Sequence, residues 1–123
     1  MAKIFNRSVA IAEGTLKLKY LAGTDSSQAI TQNAPAGKII SSTVNLAAKT
    51  TEDILVTNRY CRDTSIILAT VAGGGAGDVV VCRVTPSNGS FVITTLNADP
   101  SNACNAAYIV RYVIVNPANE PGI

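Results

Sequence analysis

A chain of 123 residues is the size of one domain, and surface scaling has it bury about two-thirds of its surface, enough for a core without disulfide or metal staples. Hydrophobic residues make up 47% and charged ones 15%, where about 25% charged is usual, so part of the surface is expected to lie against another subunit. The formal charge of +2 comes from ten basic residues with no clustered run, which argues against a nucleic-acid partner.

Residues 1–14 read MAKIFNRSVAIAEG, and only four consecutive apolar residues follow Arg7. A signal peptide needs an apolar region of about 7–15 residues and a membrane span about 20. The expectation is therefore a chain made in the cytoplasm, with no membrane partner and no export of its own. Ile4, Phe5 and Arg7 belong to an arm expected to become ordered on another surface. Thr15–Leu21 alternates, with Leu16, Leu18 and Tyr20 on one face and Lys17 and Lys19 on the other, the pattern of a half-buried strand. Ala22–Gly37 is rich in Gly, Ser, Thr, Asn and Pro without an apolar period and reads as a linker. Residues 1–37 thus form an N-terminal arm, strand and linker, 38–116 the body, and 117–123 a tail carrying Pro117 and Pro121.

In the body, Ile39–Leu46 is predicted as a strand with Val44 and Leu46 inward. Asp53–Thr57 follows, with Ile54 and Val56 inward. Asn58–Asp63 is a polar connection expected to cross between sheets. Ser65–Thr70 is a continuous apolar run, so both its faces should be covered. Gly73–Gly77 is a loop tip. The strongest local signal comes next: Val79–Thr85 and Ser90–Leu96 flank Ser87-Asn88-Gly89, and Asn-Gly between apolar runs predicts a hairpin with a type I′ turn. Asn97–Asn105 is a loop, and Ala107–Val115 closes the body with Tyr108, Val110, Tyr112 and Ile114 on one face.

Seven or so short strands with turn signals between them predict an all-β fold, an antiparallel sandwich or barrel. Residues 65–70, 79–84 and 107–115 are apolar on both faces, so the second face is expected to meet a neighbouring chain.

The chemistry is sparse. There is no histidine, the commonest general base and metal ligand. Glu52 and Asp53 are adjacent in a strand and point to opposite faces, which leaves them solvated rather than paired. The glycine run lacks the Lys-Ser/Thr of a phosphate loop. Tyr108 and Tyr112 read as core tyrosines. Cys61, Cys82 and Cys104 have neither zinc spacing nor the even count of a disulfide framework. Cys82 reads as a small buried hydrophobe, and the three are expected as free thiols, with a Cys61–Cys104 bridge left open as the alternative. No catalytic, metal or cofactor constellation is visible, so the chain is expected not to be an enzyme.

From Ser42 the order of signals resembles a small β-sandwich of tailed-bacteriophage virion proteins. The pieces are Thr43-Val44-Asn45-Leu46, Thr51–Val56, Ser65–Thr70, Val79–Val84, Gly89-Ser90-Phe91-Val92-Ile93-Thr94 with Asn97, and Tyr108–Asn116. The resemblance covers residues 42–116 and implies a jelly-roll module of the kind found in capsid decoration (cement) proteins and in head and tail fibres. It further implies a homotrimer on the exterior of a virion, bound to the major capsid protein. The chain departs from fibres in having no long shaft repeat, which favours the decoration role. A receptor- or glycan-binding fibre tip is the alternative. With the arm outside the resembling body, Ile4, Phe5, Arg7, Leu16, Leu18 and Tyr20 are the residues expected to contact the capsid or a neighbouring subunit.

Overall fold

The structure, a computed structural model, describes residues 11–12 and 15–117, with side-chain surroundings from residue 17 onward. Ile4, Phe5 and Arg7 lie outside these residues, as do positions 118–123 of the expected tail. The described residues form ten β-strands and no helix. A two-stranded ribbon comes first, β1 (Ile11–Ala12) with β2 (Thr15–Leu16). The other strands are β3 (Tyr20–Thr24), β4 (Ala29–Thr31), β5 (Ala36–Ile40), β6 (Thr51–Thr57), β7 (Ile66–Gly73), β8 (Val79–Ser87), β9 (Ser90–Asn97) and β10 (Tyr108–Val115). They make two four-stranded sheets, the first in the order β3-β5-β10-β7 and the second in the order β4-β6-β9-β8.

Both sheets are mixed. The pairs β3–β5 and β4–β6 are parallel, and the remaining neighbours are antiparallel. The expectation of a wholly antiparallel fold is corrected at these two seams. The reason is the path of the chain. It changes sheet at each step from β3 to β6, so strands two apart in sequence run the same way side by side. Within the two four-stranded sheets, only β8 and β9 are consecutive strands of the same sheet.

One face of each sheet contributes to a single hydrophobic cluster. Ile39, Tyr108, Val110, Tyr112 and Ile114 come from the first sheet, and Ile54, Val56, Phe91 and Ile93 from the second. The period-2 reading of β6 and β10 puts the right side chains inside. The Phe91 and Tyr112 rings meet edge to face, with centroids 5.1 Å apart, so the two sheets touch through an aromatic pair.

Four local expectations are corrected. Ala22–Gly37 is not a linker, because the end of β3, all of β4 and the start of β5 lie in it and pair with the body. These strands are three to five residues long, too short to show a period. A tight turn joins the segments: Ser26 and Ala29 exchange backbone hydrogen bonds of 2.9 and 3.1 Å, and Ser27 and Gln28 both take positive φ (51° and 60°). This is the φ pattern of a type I′ turn, built without glycine. At Asn88-Gly89 the reverse holds, for only Gly89 has a positive φ (87°). The hairpin forms as expected, but its turn is set by docking. The Asn88 side-chain oxygen accepts from Asp63 N (3.0 Å), and Gly89 N–H donates to Cys61 O (2.9 Å).

The strand expected over Ile39–Leu46 stops at Ile40. Beyond it Ser41 bonds to the Tyr108 backbone in both directions, Leu46 turns in and Val44 stays exposed. In β8, pairing with β9 passes from Val81↔Thr95 to Arg83↔Thr94, leaving Cys82 as the extra residue of a bulge. The bulge resets the inward positions from Val79 and Val81 to Val84, and it turns Cys82 out. Cys82 is therefore exposed rather than buried. Cys61 and Cys104 are buried and unpaired. They sit near opposite ends of β9, against Gly89 and Gly77 respectively, separated by about 25 Å of strand.

Candidate interaction surface

The alternate residues of the first sheet, those facing away from the core, form rows across the strands. Register aligns Tyr20, Ala36, Val113 and Leu68 in one row and Ala22, Lys38, Arg111 and Thr70 in the next. A third row holds Thr24, Ile40, Ile109 and Ala72, and Val115 faces Ile66 at one end. Ile66 and Leu68 are 53% and 59% exposed, and Tyr20 and Val115 are nearly as open. Leu68, Thr70, Arg111 and Val113 line a shallow depression. Lys38 and Arg111 are cross-strand neighbours with no carboxylate in any row, an arrangement that costs stability in the isolated sheet. The second face of Ser65–Thr70, expected to be covered, is thus open in the chain by itself.

The second sheet faces outward differently. Its rows hold Asp53, Thr94 and Arg83, then Ala29, Leu55, Val92 and Thr85, then Thr31, Thr57, Ser90 and Ser87. Thr94 Oγ1 donates to Asp53 Oδ1 at 2.6 Å, so the one carboxylate of this face is held by a hydroxyl. Leu55 and Val80 are the exposed large apolar side chains here.

The sheet edges differ as well. The β8 edge carries the bulge at Cys82, Arg83 and Pro86, three devices that discourage an added strand. The β4 edge is three residues long, and the β3 edge follows the exposed Lys17 and Lys19. The β7 edge, Ile66–Gly73, is eight residues long and has no charge, proline or bulge.

Buried polar groups hold the sheets in this geometry. Glu52, expected in solvent, points inward. Its Oε1 accepts from Tyr108 Oη at 2.5 Å, its Oε2 accepts from Thr43 Oγ1, and Thr95 Oγ1 lies 3.0 Å from Tyr108 Oη. Asp53 points the other way, as adjacent strand residues must. Burial, and then the Glu52 hydrogen bond, push the Tyr108 phenol well above its ordinary pKa. Burial likewise pushes Tyr112 up to about 12. Tyr112 Oη donates to Gln32 Oε1 (2.9 Å) and accepts from Asn58 Nδ2, which also reaches Ala34 O. A Cβ on Gly37 would come within 2.6 Å of Tyr112 Oη, so this strand position suits only glycine. Burial and the nearby Glu52 charge raise the Cys104 thiol. At the far end, Asn97 Nδ2 donates to Leu46 O and Asn102 O, while its Oδ1 accepts from Asp78 N and Asp99 N. Asp25 is buried as well. Its Oδ1 accepts from Ser42 N, and its Oδ2 has no partner.

Of the six residues expected to make contacts, the structure places two by their side chains. Tyr20 stands on the open face of the first sheet, opposite Ala36. Leu18 is exposed between β2 and β3. Leu16 is described only as backbone in β2. The alternation over Thr15–Leu21 does not make one strand, since the chain leaves strand geometry at residues 17–19. Ile66, Leu68, Val113 and Val115 are the second faces of 65–70 and 107–115 that the sequence pattern marked as apolar, and what sequence reasoning missed is that they share one open face with Tyr20. Among the described residues no three His, Cys, Asp or Glu side chains gather as a metal site, and no helix is long and apolar enough to cross a membrane.

No protein-family model matches this chain, and no curated protein or solved structure shows significant similarity to it.

Proposed function

We propose that this protein is a structural, non-catalytic component of a bacteriophage virion, a decoration protein that binds the outside of the capsid and stabilises it. The observation that carries this reading is the open first-sheet face, where Tyr20, Ile66, Leu68 and Val115 are exposed together. A face of this kind gains from being covered, and a chain so short of charge has little else to offer a solvent-only surface. The two mixed sheets are compatible with the jelly-roll sandwich of the resembling module, in which the protein assembles as a homotrimer and meets the major capsid protein. In this reading the arm is the part before Tyr20, with Ile4, Phe5, Arg7, Leu16 and Leu18 its contact residues, because everything from β3 onward pairs with the body.

The test is co-sedimentation with phage heads stripped of their decoration protein. The full chain pellets with the heads, and a chain lacking residues 1–14 remains folded but binds less. A chain that stays in the supernatant and instead binds a glycan array belongs to a fibre tip.

A further inference from the structure

We propose that Lys38 and Arg111 form a carboxylate receptor in the middle of the open face, where a partner protein sets one Asp or Glu side chain between the two cations and apolar side chains around them. This deepens the virion reading and rests on it only for which protein the partner is. The preference for a carboxylate belongs to this chain alone.

Position supplies the first argument. Lys38 is on β5 and Arg111 on β10, the two central strands of the first sheet, and register sets them directly opposite one another. Opposed side chains in such a pair start about 5 Å apart at Cβ, close enough for one anion to reach both. On the same face Lys38 lies between Ala36 and Ile40 along its strand, and Arg111 between Ile109 and Val113. Two cations thus stand in an apolar frame with no carboxylate in any row.

Energetics selects the occupant. Like charges directly opposed destabilise the isolated sheet, so folding alone does not account for the pair. A wholly apolar cover would strip both cations of water and leave them unpaired, which is strongly unfavourable. A second copy laid face to face would add two more cations. A carboxylate resolves both problems: it accepts from the Arg111 guanidinium through both its oxygens and from the Lys38 ammonium, and its charge offsets their repulsion. A polyanion such as nucleic acid fits less well, because it asks for a stripe of cations and this face has an isolated pair. Beside the guanidinium, the shallow depression lined by Leu68, Thr70, Arg111, Tyr112 and Val113 offers a seat to an apolar side chain next to the carboxylate.

The experiment is a titration of the isotope-labelled full chain with hexanoate, hexanol and inorganic phosphate at low salt, read from backbone amide shifts. It compares the natural protein with Arg111→Gln, Lys38→Gln and Arg83→Gln, each checked for folding by circular dichroism. Arg83 is the control, an exposed cation on the second sheet whose row already holds Asp53. Hexanoate should shift the amides of Lys38, Thr70, Arg111 and Val113 and saturate at millimolar concentration, and hexanol should not. Arg111→Gln should weaken hexanoate by about tenfold, the loss of a charge-assisted pair. Lys38→Gln should weaken it less, and Arg83→Gln should leave it unchanged. Equal shifts with hexanol, hexanoate binding that neither Arg111→Gln nor Lys38→Gln weakens, or tighter binding of phosphate overturns the proposal. The same variants in the head-binding assay separate the two readings. Hexanoate binding without head binding keeps the receptor and removes the virion partner, and head binding without hexanoate binding does the reverse.

Discussion

The two sheets present matching inner faces and dissimilar outer ones. Inside, both offer β-branched and aromatic side chains to one cluster. Outside, the second sheet carries hydroxyls, an Asp53–Thr94 bond and a guarded edge, while the first carries Tyr20, Ile66, Leu68, Val113 and Val115 beside two cations. Inner positions answer to the chain's own packing and tolerate little change. Outer positions answer to whatever lies beyond the chain. A polar outer face fits water, and an apolar one with an unguarded edge fits a partner.

The inner faces should therefore respond alike when broken. Ile39→Ala in the first sheet and Ile54→Ala in the second each remove a fully buried side chain, and each is expected to cost about 2–5 kcal/mol of stability. Urea unfolding would measure both. A cost below 1 kcal/mol at either position would mean that its sheet is not part of the shared core.

A smaller effect separates the sheets by pH. Both buried phenols, Tyr108 and Tyr112, are on β10 of the first sheet, and both have folded pKa values raised above the ordinary 10. A raised folded value means that the contribution is complete below about pH 10 and is lost as pH rises, for Tyr112 between 10 and about 12. Urea midpoints should fall steadily above pH 10. Tyr112→Phe should start less stable, because Gln32 and Asn58 lose a partner, but should fall less steeply over the same range. An identical slope for the variant would contradict the burial of Tyr112.

Much of this architecture is legible in the residues themselves. The alternation in β6 and β10 names the core correctly, and the Asn88-Gly89 hairpin is where the pattern puts it. What escapes sequence reading is set by contacts between distant segments. The type I′ φ pattern sits at Ser27-Gln28, which no Asn, Asp or Gly marks, and the Gln28 carbonyl is fixed by Leu55 N–H of β6. Short parallel strands such as β4 have no period to detect. Cys82 is turned outward by a bulge that depends on β9. The open face of the first sheet was half legible. The apolar second faces were visible as patterns, but which of them share one plane emerges only from the strand order β3-β5-β10-β7.

The contrast between the two outer faces is tested most directly by co-sedimenting folded Leu68→Lys and Leu55→Lys variants with phage heads stripped of their decoration protein. The account predicts that Leu68→Lys, on the open face of the first sheet, pellets less than the natural chain, while Leu55→Lys, on the second sheet, pellets as well as it. Equal binding by both variants, or an equal loss by both, would contradict the account.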